Sequence, residues 1–383
     1  MSVKINTHWI DVVHKLGKDF ESRATEYDRD DLFVVENYSN LKEHGFFKAI
    51  IPEELGGSGV SHSEMCNILC LLAQYCGSTA LALSMHQHLL SANVWKYKQG
   101  QGMEEMLKNV AAKQPVLVST GANDWLESSG EMRKTKDGFI VSAIKHFASQ
   151  SAVGDLLVTS AAFEDPECGW QVLHFAVPFK SPGVKTLGNW QALGMRGTGS
   201  HSVQLENVFI PENAITLRRP RGEFHPVWNV ILTVAMPLIM SVYLGIAQKA
   251  ARIAITHASN QKKIKTYLPE QIGEMYNSLI AAELNVKDMI RIANDFDFKP
   301  IDQNGQDILT RKTNAANACI NVVEKAMEIV GGQGFYRSFG LERLFRDVQA
   351  AKYHPLQEKD QLRFTGEYIL RNSLEKAPLV LAA

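Results

Sequence analysis

The spacing of apolar residues changes twice along the chain, and this change constrains the fold more than any other feature. Up to residue 113 the apolar residues recur at helical intervals, as in CNILCLLAQYCGSTALALSMHQHLLSANVWKY. Residues 114–220 contain short runs rich in Val, Phe and Thr, such as GFIVSAIKHFAS, separated by Gly, Pro and Asp. Helical spacing then returns. We predict an α+β protein with a helical domain at 1–113, an antiparallel β-barrel or sandwich at 114–220 and a four-helix bundle at 221–383.

Charge and hydropathy argue against two classes of partner. Forty Lys and Arg face 41 Asp and Glu, and no long basic run could follow a phosphate backbone, so nucleic acid is not an expected partner. The N-terminal segment MSVKINTHWIDVVHKLGKDF lacks the apolar core of a signal peptide. We expect that no stretch reaches the roughly 18 uncharged apolar residues that a membrane span needs. The sequence therefore predicts a soluble cytoplasmic protein without a membrane partner.

The five cysteines do not form a recognisable metal motif. Cys66 and Cys70 share a helix face, but no nearby Cys or His completes a zinc pattern. We expect core thiols in a reducing compartment, because free cysteine is among the most buried residue types. No metal site is predicted.

Three segments carry a family resemblance: IPEELGGSG in the first domain, LGMRGTGSHSVQLENVFIP in the second and EIVGGQGFYRSFGLERLFRDV in the third. In this order and at this spacing they resemble the acyl-CoA dehydrogenase superfamily of flavoproteins. The resemblance covers nearly the whole chain. It implies a flavin cofactor, FAD or FMN, whose ring lies on the β domain. It also implies a homotetramer, or a dimer of the same type, and a flavin reductase or electron-transfer flavoprotein as redox partner.

The resemblance further implies the residues that hold the flavin. The segment AIKHFASQS is similar to the family pattern G-x-K-x-x-I-T-N-G, in which a hydroxyl reaches the edge of the flavin ring, and Ser149 takes that position. Glycines in GGQG allow close approach to a pyrophosphate, from a neighbouring subunit. Alone, Ser149 also fits turn chemistry and GGQG also fits a helix C-cap. The implied cofactor-binding residues are Ser119, Thr120, Phe147, Ser149, Trp190, Arg196, Thr198, Gly331, Gly332 and Gln333.

The carboxylate that acyl-CoA dehydrogenases use as a base is missing from both family positions. Most members carry a Glu eight residues beyond the Asp of an R-D pair, where this chain has Pro355. A smaller branch carries it about ten residues before the Gly of G-x-A-Q, where this chain has Ala235. An Arg that contacts the flavin in the family is replaced by Gln261, which weakens the case for tight FAD pyrophosphate binding and leaves room for FMN.

In place of that carboxylate stands His354, followed by Pro355. The His-Pro-Leu sequence here resembles the two-component flavin monooxygenases of the same fold, which receive reduced flavin from a separate reductase. In those enzymes two histidines and a serine surround the reactive edge of the ring, and the matching residues are His354, His86 or His88, and Ser149. His354 also suits a helix C-terminus, and His86 and His88 are two residues apart, so that one of them is expected to be structural.

These observations leave three hypotheses. We favour a monooxygenase that uses reduced flavin to hydroxylate, or to S- or N-oxidise, a small apolar compound through a C4a-hydroperoxide, with histidine holding or donating a proton. The alternative is an FAD-dependent acyl-CoA α,β-dehydrogenase whose carboxylate has moved to Glu358, one helical turn beyond His354. A flavin-binding module without turnover is the third, and no residue supports it. The substrate is not determined by the sequence.

Overall fold

The N-terminal part of the chain is helical in the computed structural model, which describes residues 7–121, 124, 126–261 and 266–373. Helix α3 begins with a side-chain N-cap, because the Ser61 hydroxyl accepts a hydrogen bond from the N–H of Glu64. Helix α4 is buried on nearly all sides, although its buried residues include several with polar side chains. The helices are α1 (Thr7–Arg29), α2 (Val35–Glu43), α3 (His62–Ala73), α4 (Gly77–Lys98) and α5 (Glu104–Lys113).

The middle part forms one sheet with the strand order β6-β7-β3-β2-β4-β5-β8, and β1 pairs with β4. Most neighbours are antiparallel, as predicted, but β1 and β2 both run parallel to β4, so the sheet is mixed. The strands are β1 (Leu117–Ser119), β2 (Glu131–Lys134), β3 (Gly138–Lys145), β4 (Leu156–Asp165), β5 (Gly169–Pro178), β6 (Val184–Thr186), β7 (Val203–Pro211) and β8 (Ile215–Pro220).

The C-terminal part is again helical, so the predicted order of helices, sheet and helices is confirmed. Helix α8 packs against α6, α7 and α10, and these four elements form the C-terminal bundle. The helices are α6 (Val227–Ser259), α7 (Leu268–Ala293), α8 (Asp302–Val330), α9 (Leu341–Val348) and α10 (Glu358–Ser373).

Helix α6 lies at the centre of the molecule, packed on α3, α4, α7, α8 and α9. Its sequence is uncharged from Val227 to Gln248, so the expectation that no stretch reaches the length of a membrane span is wrong. By length and composition α6 could cross a bilayer, but 94% of its most apolar window is buried inside the protein. Its apolar surface is therefore explained by burial in the protein core.

The cysteines lie mostly inside, as expected for core thiols. Cys66, Cys76 and Cys319 are buried, and Cys70 is partly buried against Gln248. Burial raises the pKa of the buried thiols. Cys168 departs from the expectation, because it lies exposed in the turn between β4 and β5.

Substitution of Gly245 tests the packing of α6 on α3. A Cβ at Gly245 would lie 2.1 Å from the carbonyl oxygen of Cys70. We expect Gly245→Ala to lower the free energy of unfolding by about 1–3 kcal/mol, because backbone must move to admit the methyl group. Urea unfolding measures the change.

Gly273→Ala in α7 is the matched control. It is exposed and a Cβ there meets no atom within 4 Å, so we expect a gain of about 0.5–1 kcal/mol from the better helix former. Equal stability of the two variants would contradict the close packing of α6 on α3.

Candidate active site

A buried hydrogen-bond network joins α4 to the sheet through Leu117, the first residue of β1. The N–H of Leu117 donates to Nδ1 of His86 at 3.2 Å, and its carbonyl accepts from Nε2 of Gln150 at 2.7 Å. The Tyr38 hydroxyl donates to Oε1 of Gln150 at 2.6 Å. Because Gln150 follows β3, this network fixes α4, β1 and the turn after β3 against one another.

His86 is fully engaged in this network. Since its Nδ1 accepts from Leu117, its proton lies on Nε2, which donates to the carbonyl of Phe47 at 2.9 Å. Burial lowers the pKa of His86 to about 4, so the ring is neutral near pH 7. Both ring nitrogens bind backbone groups, and we infer that His86 is the structural member of the pair.

His88 differs from His86, since two residues along a helix point in different directions. It is buried, and its Nδ1 has no hydrogen bond of normal geometry among the described residues. Burial lowers the pKa of His88 to about 4, although the backbone of Ser84 opposes the shift. The hydroxyl of Ser91, one turn further, is also buried without a partner there. Buried polar atoms are nearly always paired, so these two groups favour a ligand beside α4.

His354 lies in the same region as His88, which contributes to lowering its pKa. Its Nε2 is 2.7 Å from the hydroxyl of Tyr243 on α6. Burial, with the nearby Lys312 and His88, lowers the pKa of His354 to about 3, so this ring is also neutral. The Lys312 ammonium donates to the carbonyl of Leu356 at 2.9 Å and anchors the chain just beyond His354. The structure therefore brings together His88, His354 and Tyr243, from three separate segments.

Hydroxyl groups line the turn after β3. The Ser149 hydroxyl lies 2.8 Å from that of Ser200, which lies 2.7 Å from that of Thr198. Thr198 donates to the carbonyl of Met195. Ser149 is partly exposed, whereas Thr198 is fully buried. Ser149 is thus the member of this chain of hydroxyls that can reach a bound molecule.

The same turn presents an aromatic surface. Phe147 is 54% exposed and meets Trp190 edge to face, with ring centroids 6.2 Å apart. Phe147 and Gln150 have φ angles of 55° and 62°, which are uncommon for residues other than glycine and are concentrated at functional sites. A partly exposed aromatic pair beside a hydroxyl oxygen is a stacking and hydrogen-bond-accepting set that fits the planar, polar-edged ring of a flavin.

Other predicted cofactor residues are held by protein groups. The Arg196 guanidinium donates to the carbonyls of Ala192 and Asp28, which ties it to the end of α1. The Thr120 hydroxyl donates to Asp124 at 2.5 Å, and Ser119 beside it is partly exposed. Of this group, Ser119 has the side chain most open to a ligand.

Gly331, Gly332 and Gln333 are exposed at the end of α8. Phe335, just beyond, is 82% exposed. Glu358, the proposed displaced base, is also exposed and accepts a hydrogen bond from Asn317 at 3.3 Å. These residues therefore lie on the protein surface, while His354 is largely enclosed.

A buried ion pair escaped the sequence analysis. Lys145 is fully buried and its ammonium is 2.8 Å from Oδ1 of Asp124 and 2.6 Å from the carbonyl of Ser129. This pair holds the segment after β1 onto β3. Lys145 continues the inward-facing alternation of Phe139, Val141 and Ala143, and that alternation is the signal that could have revealed it.

The three-part fold and the hydroxyl and aromatic groups at the sheet edge define a flavin-dependent oxidoreductase. Two family models match the chain: acyl-CoA dehydrogenase, N-terminal domain, over residues 11–114, and acyl-CoA dehydrogenase, C-terminal domain, over residues 238–358. Together they cover more than half of the sequence. The chain belongs to the acyl-CoA dehydrogenase superfamily.

Comparisons with individual proteins agree with this membership. YdbM of Bacillus subtilis (strain 168), assigned by its name to the acyl-CoA dehydrogenases, is 27% identical over 91% of this chain and 92% of its own length. Dibenzothiophene monooxygenase of Mycolicibacterium goodii is 23% identical over 94% of this chain and 93% of its own length. The structure of KijD3 with FMN and dTDP-3-amino-2,3,6-trideoxy-4-keto-3-methyl-D-glucose superposes with a TM-score of 0.87, at 23% identity, over 97% and 95% of the two chains.

The two histidines of α4 should respond differently to replacement by leucine. His86→Leu leaves the N–H of Leu117 and the carbonyl of Phe47 unpaired, at about 1–3 kcal/mol for each buried group. His88→Leu removes a buried ring whose Nδ1 has no hydrogen bond of normal geometry among the described residues, so we expect a smaller loss than for His86→Leu. Urea unfolding of both variants measures the difference. Equal losses of stability would contradict the division of roles between the two residues.

Stability should fall in weak acid because these rings are neutral in the folded protein. The pKa of His88 is about 4 when folded and ordinarily 6.5, so between these values the unfolded chain binds the extra proton. The contribution of this histidine to the free energy of unfolding is complete above pH 6.5. It decreases toward pH 4 by about 1.4 kcal/mol per pH unit. The free energy of unfolding, measured with urea at several pH values across this range, should change less steeply with pH for His88→Leu than for wild type. Identical slopes would show that His88 does not contribute.

Proposed function

We propose that this protein is a reduced-flavin-dependent monooxygenase that hydroxylates, or S- or N-oxidises, a small apolar compound. One observation carries the proposal: a neutral imidazole, His354, is held by Tyr243 and stands in the segment where related dehydrogenases carry a basic carboxylate, with a second neutral imidazole, His88, in the same region. Glu358, the alternative carboxylate, is exposed and accepts a hydrogen bond from Asn317.

The residue types suit oxygen transfer better than proton abstraction. When bound, a reduced flavin supplies electrons that activate molecular oxygen for insertion into an organic substrate. His88 and His354 can hold or donate a proton at a ring nitrogen while remaining uncharged in the resting protein. A carboxylate with an ordinary pKa would be ionised and would act as a base instead.

The helices that bear His88 and Tyr243 keep much of this region away from water. Helices α4 and α6 bury almost all of their middle turns. Reactive oxygen chemistry requires such an enclosure, because water would divert it to side reactions. The apolar enclosure also suits a small apolar substrate.

The proposal assigns the cofactor residues as follows. Ser149 and the Phe147–Trp190 pair contact the flavin ring, with Ser119 nearby, and Gly331 to Gln333 contact the flavin of a neighbouring subunit in a homotetramer. The exposed Phe335 beside those glycines supports a subunit contact there. FMN is the proposed flavin, supported by Gln261 in place of the family arginine and by the FMN in the KijD3 structure. A separate reductase would supply it in reduced form, in the cytoplasm.

Replacement of His354 tests this function. We mix protein and photoreduced FMN with ¹⁸O₂ and indole or thioanisole, small apolar probes, and measure labelled product by mass spectrometry and released hydrogen peroxide by a coupled assay. Wild type should yield labelled product. His354→Ala should lose product by about 10²–10⁴-fold, the usual contribution of a positioned proton donor, while reduced FMN is still oxidised and its electrons appear as peroxide.

A partly buried histidine remote from this site provides the control. His44→Ala, on the far end of α2, should retain wild-type product and peroxide yields. Bleaching of bound FAD by a panel of acyl-CoA thioesters under anaerobic conditions, with no labelled product in oxygen, would reject the monooxygenase and establish the dehydrogenase. Glu358→Gln should then abolish the bleaching if that carboxylate is the base.

A further inference from the structure

Tyr243 is a polar group in an otherwise apolar region of the protein. It lies within the uncharged stretch of α6 and is fully buried. Its hydroxyl is 2.7 Å from Nε2 of His354, and the two ring centroids are 5.4 Å apart at an angle of 58°. The two residues come from segments 111 positions apart in sequence. No motif of the family resemblance includes Tyr243.

The number of protons and partners available to the Tyr243 hydroxyl determines which atom is the donor. A tyrosine hydroxyl has a single proton to donate, and among the described residues His354 is the partner of the Tyr243 hydroxyl. If Nε2 carried a proton and donated it to Tyr243, the buried hydroxyl proton would have no acceptor. An unpaired buried donor is costly. The O–H of Tyr243 therefore donates to an unprotonated Nε2.

The neutral state of His354 completes the assignment. Because the ring is neutral and Nε2 is unprotonated, the single ring proton must lie on Nδ1. Nδ1 of His354 makes no hydrogen bond with the part of the chain that the structure describes, and it is not among the enclosed unpaired atoms. Its N–H is thus free to meet a bound molecule.

We infer that Tyr243 is a positioning residue that holds His354 in the Nδ1–H tautomer and presents that N–H to the reacting group. Lys312 anchors the backbone beyond the ring through the carbonyl of Leu356, and Tyr243 then sets the rotation of the ring itself. The tautomer follows from the hydrogen bond and the neutral state of the ring. Its catalytic use rests on the proposed monooxygenase function.

The experiment reads the tautomer directly. Protein labelled with ¹⁵N-histidine is studied near pH 7 by two-bond ¹H–¹⁵N correlation, which distinguishes the protonated nitrogen of each ring, and His354→Gln identifies the signals of His354. Wild type should show the Nδ1–H pattern. Tyr243→Phe, which keeps the ring and removes the hydroxyl, should shift His354 toward the Nε2–H form. A wild-type Nε2–H pattern, or the same pattern in both proteins, would overturn the inference.

A catalytic readout separates positioning from simple packing. In the ¹⁸O₂ assay, Tyr243→Phe should form product about tenfold more slowly, and peroxide should rise in proportion, with an unchanged affinity for FMN. Tyr97→Phe, which removes a hydroxyl bound to Glu54 on the surface, should change neither the tautomer nor the product yield. If Tyr243→Phe formed labelled product as fast as wild type and released no more peroxide, the positioning role would be overturned.

The two proposals fail in different ways. If wild type forms no labelled product but shows the Nδ1–H pattern that Tyr243→Phe abolishes, the tautomer assignment stands and the monooxygenase function falls. If wild type forms product with His354 in the Nε2–H form, the function stands and the role of Tyr243 falls.

Discussion

The geometry of the candidate site depends on the buried hydrogen bonds that meet at Leu117. Apolar packing alone would let α4 slide against the sheet at little cost, because it has no preferred direction. Polar groups without water must find partners, and His86 and Gln150 each have one position that satisfies the backbone of Leu117. This requirement aligns the face of α4 that bears His88 with the turn that bears Ser149.

Burial then determines the charge states in this region. The same loss of water that lowers the pKa of His88 to about 4 and of His354 to about 3 raises that of Asp347 to about 6, since both shifts favour the uncharged form. Asp347 accepts a hydrogen bond from the backbone N–H of Met195, so its carboxyl group already has a partner in the protein. The groups left to hold protons beside a ligand are neutral imidazoles, which is why the site suits proton donation to oxygen better than removal of a carbon-bound proton.

Helix α6 contributes both to the apolar core and to the candidate active site. Its apolar surface supplies much of the core between the N-terminal helices and the bundle. Tyr243 carries the polar atom that reaches His354 from within that core. A hydroxyl on a rigid, buried helix holds its partner more closely than one on a surface loop could, because neither its backbone nor its ring has room to move.

The sequence by itself determined the order of helical and sheet segments, the family, and the position of His354, because local periodicity and short motifs are properties of neighbouring residues. The alternation of β3 contained a signal for the burial of Lys145 that the sequence analysis did not use. Only the tertiary structure engaged both ring nitrogens of His86 with backbone groups, turned the expected antiparallel sheet into a mixed one, placed Glu358 on the surface, and joined Tyr243 to His354. Those outcomes depend on contacts between residues far apart in sequence, and the packing of whole elements selects such contacts.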